Sequence, residues 1–453
     1  MVENDNNLSL KHALEKSTSS SHYLIKICLF SMLLIVLVFF LISEKSYSSS
    51  VNTDELPLLT IDDFEYRGGF RISAVDYGDS SASYAQGPIE YNPDNHSIFI
   101  VGHSNHQTIA EFPVPEIINS VDFNDFSIAD DPIQPFKKVI PRIKYKEKIN
   151  RISGMKYFPN AERPYLLING YYYYDANGSR SKTTFGLLDA NNIEHSETEG
   201  AYEIKGKTRA AGWISEIPTE WQNELGGQWI TGHAHNMPIV SRASVGPSAF
   251  VFDPHKIIKE EDVQDPVPTT EVLGFSNSNR LHDDLSNESG NNKLWTFLSE
   301  ATYGFIVPGT RSYVTIGRSA GHGPMGICYK CTNTDGRKYN GYGPVDAKDY
   351  YYYYWLWDIN DLVSAKQGEI KPHEILPYEY GEFPMPIDTE SRSVRIGGGS
   401  YDKQSNKLYL SILGADRLQC RYAKMPVIAV YSIKNAETNF SLGTPKNLKI
   451  DTH

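Results

Sequence analysis

Trp229-Ile230-Thr231-Gly232-His233-Ala234-His235-Asn236, followed by Ala249-Phe250-Val251-Phe252-Asp253, decides how this chain is read. An apolar run reaches a glycine, a cluster rich in histidine follows, and a second apolar run returns toward an aspartate. Apolar runs of about 4–8 residues bounded by turn signals read as strands, and two in succession as an antiparallel hairpin. The gesture recurs in Ile98-Phe99-Ile100-Val101-Gly102-His103-Ser104-Asn105-His106 with its return Ile109-Ala110-Glu111-Phe112. It recurs again in Val314-Thr315-Ile316-Gly317-Arg318, with His322 close behind.

Working outward, each of these runs sits in a larger unit: a glycine or small residue leading into Tyr or Phe, a turn, the strand, the polar cluster and the return. Two more units fit the same description. One holds Tyr165-Leu166-Leu167-Ile168-Asn169-Gly170-Tyr171, and the other Lys407-Leu408-Tyr409-Leu410-Ser411-Ile412 before Gly414-Ala415-Asp416-Arg417. Spacings of roughly 45 to 95 residues exceed a minimal propeller blade and call for insertions or weakly marked extra blades. The expected fold is therefore all-β, a β-propeller of five to seven blades, with a strand near residues 62–72 pairing into the last blade to close the ring. A pair of large β-sandwiches is the alternative. Residues 255–293, rich in Asp, Glu, Asn and Ser, read as an insertion outside the ring. Short helices are expected at 218–225, which opens on Pro218, and near 361–366.

The 30 tyrosines, 34 glycines and 25 prolines suit short aromatic strands and many turns better than long helices. A formal charge of −12, without any Lys/Arg block, argues against nucleic acid as a partner. Residues 27–42 carry no charge, and with 23–25 they reach about 19–20 residues, enough to span a bilayer core. Lys11, Lys16 and Lys26 precede this run and only Lys45 closely follows it. The bias favours a cytoplasmic tail (1–22), a signal-anchor span (23–43), a serine-rich stalk (44–56) and an extracytoplasmic propeller domain (57–453). A cleaved signal, giving a secreted protein, is the alternative; residues 46–50 make a poor cleavage site. The membrane would then be a partner through this single span.

Gly87-Pro88-Ile89-Glu90-Tyr91-Asn92-Pro93 with Ser97–His103, Gly246-Pro247-Ser248-Ala249-Phe250-Val251-Phe252-Asp253-Pro254, and Arg395-Ile396-Gly397-Gly398-Gly399-Ser400-Tyr401-Asp402 resemble an exported, propeller-like bacterial family without an assigned activity. The resemblance covers most of residues 65–435. It implies the fold and carries over no catalytic residue.

Equivalent positions of successive blades share a face, so the residues after each marked strand are the candidate ligand-binding set: His103, His106, His233, His235, Asn236, Arg318, His322, Asp416 and Arg417. Imidazoles converging on a channel could hold zinc or another divalent metal, with His103, His233 and His235 as candidate ligands. The competing reading is that these histidines cap turns and bond blade edges. Cys328 and Cys331 form a lone C-x-x-C, a candidate disulfide in an oxidising compartment. No nucleophile elbow, P-loop or H-E-x-x-H is present. Two functions follow as expectations. One is a propeller binding an unknown small molecule or protein at its channel face. The other is a metal-assisted hydrolase or lyase acting on a small polar or sugar-like substrate.

Overall fold

In the computed structural model the described residues are 52–143, 149–160, 163–175, 179–235, 244–258, 262–387, 395–420 and 422–434. They form a five-bladed β-propeller. Strand β1 (Phe64–Arg71) opens the chain order. Blade 1 follows as β2 (Ile89–Asn92), β3 (Ser97–Val101), β4 (Thr108–Pro113) and β5 (Gln134–Lys138). Blade 2 is β6 (Arg151–Phe158), β7 (Tyr165–Tyr171), β8 (Lys182–Leu187) and β9 (Thr198–Glu203). Blade 3 is β10 (Trp213–Glu216), β11 (Trp229–Gly232), β13 (Ala249–Phe252) and β14 (Thr269–Leu273); between them β12 (Ala234–His235) leaves to pair with the next blade.

Blade 4 is β15 (Glu300–Ile306), β16 (Ser312–Ala320), β19 (Tyr350–Asp358) and β20 (Glu379–Glu382), with a two-stranded excursion β17 (Ile327–Tyr329) and β18 (Tyr342–Pro344). Blade 5 is β21 (Ile396–Asp402), β22 (Lys407–Asp416) and β23 (Met425–Ile433), completed by β1 pairing antiparallel to β23. The closing strand expected near 62–72 is β1. The inner strands β2, β6, β10, β15 and β21 neighbour one another in that order around the axis, and β21 meets β2 again.

Alternation explains why the second strand of each blade is largely buried, with apolar side chains on both faces. Its two faces serve two different seams. Ile98 and Ile100 pack with Tyr409 and Ile428 toward blade 5, whereas Phe99 and Val101 pack with Tyr157, Leu166 and Ile168 toward blade 2. Tyr165 and Leu167 in turn join Phe250 and Phe252 of blade 3. Sheets covered on both faces lose the in–out polarity of a half-exposed strand. Each such side chain contributes on the order of 1.5–3 kcal/mol on burial. The seams of blades 3, 4 and 5 merge into one core, where Trp213 Nε1 donates to Tyr313 Oη at 3.1 Å.

Residues 255–293 depart from expectation. Thr269–Leu273 is the fourth strand of blade 3, and Leu281, Leu285, Asn287 and Asn292 are buried. The polar composition reflects asparagine and aspartate side chains that bond backbone within the loop, such as Asn292 Nδ2 to Trp295 O at 2.7 Å. The expected helices are found at Thr219–Leu225, with Pro218 at its N-cap, and Ile359–Gln367, capped by Asp358. The expected tail, span and most of the stalk, residues 1–51, lie outside the described residues. Among the described residues no helix is long and apolar enough to cross a membrane.

Candidate functional site

The axis has two mouths. The upper mouth is where the inner strands begin and the second strands end; the lower mouth is where the inner strands end and turn back.

Strands β3, β7, β11, β16 and β22 are all second strands, so the segments after them do meet on the upper side. They do not make one histidine cluster. His103 and His106 stack on each other at 4.6 Å beside Tyr84, away from the axis. His103 Nδ1 accepts from Asn105 N–H (3.1 Å), and His106 Nδ1 is 2.8 Å from Ser80 Oγ. Burial, then the neighbouring His106, holds the His103 imidazole below its ordinary value. His233, in blade 3, does line the upper mouth; its Nδ1 donates to Thr208 O at 3.1 Å.

His322 is buried in blade 4, with Nδ1 at 2.8 Å from Asn292 O and Nε2 at 2.6 Å from Ser319 Oγ. Both of its nitrogens are in use, so it is a structural bridge and not a free ligand. The backbone of His235 pairs with Glu300. Asn236 lies outside the described residues. Asp416 is fully buried and accepts from Leu418 N–H and Gln419 Nε2, with Arg71 Nη1 3.9 Å away; Arg417 is exposed. Among the described residues no group of three or more His, Cys, Asp or Glu side chains is placed to hold a metal. Cys328 and Cys331 are bonded to each other at the base of the β17–β18 excursion, and Cys420 is free and exposed.

Glycine at these strand ends is dictated by close approach of neighbouring backbone. A Cβ on Gly232 would lie 2.1 Å from Ser248 O, and one on Gly317 would lie 2.0 Å from Glu300 O. These positions are glycine because neighbouring backbone passes too close for any side chain.

What the upper mouth does gather is arginine. Glu300, at the head of β15, is nearly fully buried and takes Arg318 Nη2 at 2.9 Å and Arg395 Nε at 3.1 Å. Arg318 thus ties two strands of its own blade, and Arg395 ties blade 5 to blade 4. Arg395, Tyr171, His233 and Gln86 line a small cavity here, of about 30 Å³. Arg395 appears in the family-like stretch of the sequence but carries no signal as a site residue there.

The lower mouth escaped the sequence reading entirely. All five blades line a cavity of about 170 Å³, walled by Tyr91, Tyr157, Trp229, Tyr303, Phe305 and Tyr401. The signal that would have found it is a recurring proline two residues after an inner-strand position: Tyr91-x-Pro93, Tyr157-x-Pro159, Glu216-x-Pro218 and Ile306-x-Pro308. Proline is tolerated there because it ends the inner strand at the turn.

Behind the wall, fully buried Glu90 accepts from Lys156 Nζ (2.5 Å), Ser400 Oγ (3.0 Å) and the backbone N–H of Tyr157 (3.3 Å). Burial pushes its carboxyl above the ordinary range, against the pull of Lys156. At the rim, Lys403 Nζ reaches Glu216 Oε1 at 2.7 Å, joining blade 5 to blade 3 across the inner strand of blade 4. Tyr401 N–H donates to Tyr303 Oη at 2.8 Å, and burial raises the Tyr303 phenol. The two cavities share no lining residue: Tyr303 belongs to the lower one and the preceding Thr302 to the upper.

No protein-family model matches the chain, and no curated protein matches it. Among solved structures, Raptor from Chaetomium thermophilum is similar over 82% of this chain at 9% identity and a TM-score of 0.30. This chain spans only 29% of Raptor's length. CoXyl43, a GH43 β-xylosidase/α-arabinofuranosidase from a compost microbial metagenome, is similar over 78% of this chain and 93% of its own, at 9% identity and a TM-score of 0.37. An exo-1,5-α-L-arabinanase from a bovine ruminal metagenomic library gives 76% and 93%, at 10% identity and 0.34. At these scores none of the three assigns an activity to this chain.

Proposed function

We propose that this protein is a binding propeller that takes a small, uncharged, ring-sized ligand of sugar-like chemistry in its lower axial cavity. The observation that carries the reading is the lining of that cavity: aromatic rings from several blades surround two lysines already paired with carboxylates. Lys156 is held by Glu90, Lys403 by Glu216, and Asp402 by the N–H of Gln404 in its own turn. An anionic ligand would have to break one of the two lysine pairs; a neutral one with an apolar face and hydroxyl groups need not. The volume is below the roughly 300–1,000 Å³ of drug-sized sites and suits a single ring.

Hydrolysis of a glycosidic bond requires two carboxyl groups poised on either side of it. Here Glu216 and Asp402 are engaged, and Glu90 lies behind Lys156 and Ser400. The proposal is accordingly binding without turnover. The uncharged run at 27–42 further supports presentation of the propeller outside the cytoplasm on a membrane anchor. Protease added to the exported side of sealed vesicles should then cut beyond Ser50, and cutting from the cytoplasmic side would overturn the topology.

The ligand reading is tested by titrating the full chain with methyl glucoside, N-acetylglucosamine, cellotriose and maltotriose while following tryptophan fluorescence, since Trp229 lines the cavity. Saturable binding that Tyr401→Ala weakens is expected for at least one of them. Binding that survives Tyr401→Ala and Tyr157→Ala unchanged would place the site elsewhere.

A further inference from the structure

The upper mouth carries an inference independent of the lower one. We propose that it binds a carboxylate group, with the Arg395 guanidinium and the Tyr171 hydroxyl as donors to the two oxygens.

The argument is an inventory of what the cavity has to offer. The hydroxyl of Ser153 donates to Ala211 O (2.5 Å), that of Thr302 to Ile396 O (3.0 Å), and His233 Nδ1 to Thr208 O. The carbonyl of Gln86 accepts from Gln107 Nε2 at 3.1 Å, which leaves its amide NH₂ as a donor. Tyr171 is 5% exposed, packs at 5.0 Å from the His233 ring, and its hydroxyl bonds no other group among the described residues. Arg395 touches Glu300 through Nε alone, so neither Nη has a partner among the described residues. The Arg395 Nη groups, the Tyr171 hydroxyl and the Gln86 NH₂ that remain can each offer a hydrogen. A cavity so furnished recognises an acceptor, and the fork of an arginine recognises a planar carboxylate best.

The electrostatics agree. Among the described residues, Arg151, Arg318 and Arg395 lie near this mouth against the carboxylate of Glu300, an island of positive charge on a chain of net −12. Such an island concentrates anions locally. Glu300 does not cancel it; nearly buried, it accepts from Arg318 Nη2 and holds Arg395 beside it as an ion pair. Burial raises the Tyr171 phenol to about 12, so it remains a hydroxyl donor at neutral pH. The cavity, about 30 Å³, is far below the size of a site that encloses a whole ligand. It therefore admits the carboxylate end of a larger molecule and leaves the remainder outside.

The test uses acetate as the probe, titrated into the full chain at constant ionic strength and followed by saturation-transfer NMR of the methyl signal. Saturable binding is expected. Arg395→Gln should weaken it about tenfold to a hundredfold, and Tyr171→Phe about three- to tenfold. Arg280→Gln, an exposed arginine that bonds Asn277 O in its own loop and lines neither cavity, should change nothing. Inorganic phosphate should bind no tighter than acetate; tighter phosphate binding would overturn the assignment to carboxylates. Absence of saturable acetate binding would overturn the site. Should Arg395→Gln not fold, Tyr171→Phe decides alone, and unchanged acetate affinity in it overturns the proposal.

Discussion

Lys156 Nζ lies 2.5 Å from Oε1 of Glu90, and this contact joins the inner strands of blades 1 and 2 directly behind the lower mouth. Glu90 is fully enclosed, whereas the lysine side chain keeps 20% of its exposure. Lys156→Met therefore strands an unpaired carboxylate, and should cost about 3–5 kcal/mol at neutral pH in urea unfolding. The sign with pH follows from burial. A carboxyl raised above its ordinary 4.5 binds its proton more tightly in the folded state, so its contribution is full below 4.5 and is lost as pH rises through the raised value. The penalty in Lys156→Met should accordingly shrink as the solution is acidified. A penalty independent of pH would show that Glu90 is not its source.

His322 makes the opposite pH prediction. Burial lowers its imidazole from 6.5 to about 4, so the unfolded chain takes up the proton first. The stability it contributes is complete above 6.5 and is lost as pH falls toward 4, a change on the order of 3 kcal/mol. Thermal unfolding between pH 4 and 7 should be steeper in the native protein than in His322→Gln. Equal slopes would contradict the buried placement.

Gly232→Ala separates two reasons for a glycine. Close approach of Ser248 O predicts backbone displacement and a loss on the order of 3 kcal/mol. Gly336→Ala is the contrasting case, since Gly336 has φ +80° with open space around it. It should cost only about 1 kcal/mol through backbone conformation. Chemical denaturation of the two variants measures the difference.

The rim pair Lys403–Glu216 tests the neutrality of the ligand. As a half-exposed pair it should show a coupling energy below about 1 kcal/mol that fades with salt, measured by a double-mutant cycle. The double variant Lys403→Met/Glu216→Gln should shift saccharide affinity by less than about threefold, against tenfold or more for Tyr401→Ala. A larger effect of the charge-free rim would mean that the ligand itself is charged.

The ring was legible in the sequence because the second strand of every blade is buried on both faces. Ile98-Phe99-Ile100-Val101 and Tyr165-Leu166-Leu167-Ile168 read as unbroken apolar runs, and their recurrence gave the ring but left the blade number between five and seven. The fourth strand of blade 3 was hidden because Thr269-Thr270-Glu271 lies at an outer edge, where polar side chains are tolerated. His322 was ambiguous in the sequence for a related reason. A polar residue after a buried strand may serve a ligand or satisfy nearby backbone, and His322, bonded to Asn292 O and Ser319 Oγ, does the second. Glu300 and Glu90 gave no signal, since their partners come from residues 18 to 310 positions away in the chain. Contacts closed by the ring are invisible to any local window.

The closure itself separates covalent order from spatial order. Lys434 N–H donates to Asp63 O at 2.8 Å, and Phe64 pairs with Ile433, so both ends of the ring emerge side by side at the outer edge of blade 5. A short linker from Lys434 to Asp63 would make the propeller a circle, and a new opening could be cut in the exposed turn at Asp94-Asn95. In such a circular permutant blade 1 would hold the ends and blade 5 would become continuous, with both axial cavities assembled from the same side chains. No blade is intrinsically first. The β1–β23 seam alone holds one blade together across the two ends of the ring, by backbone pairing from Phe64–Ile433 to Arg71–Val427.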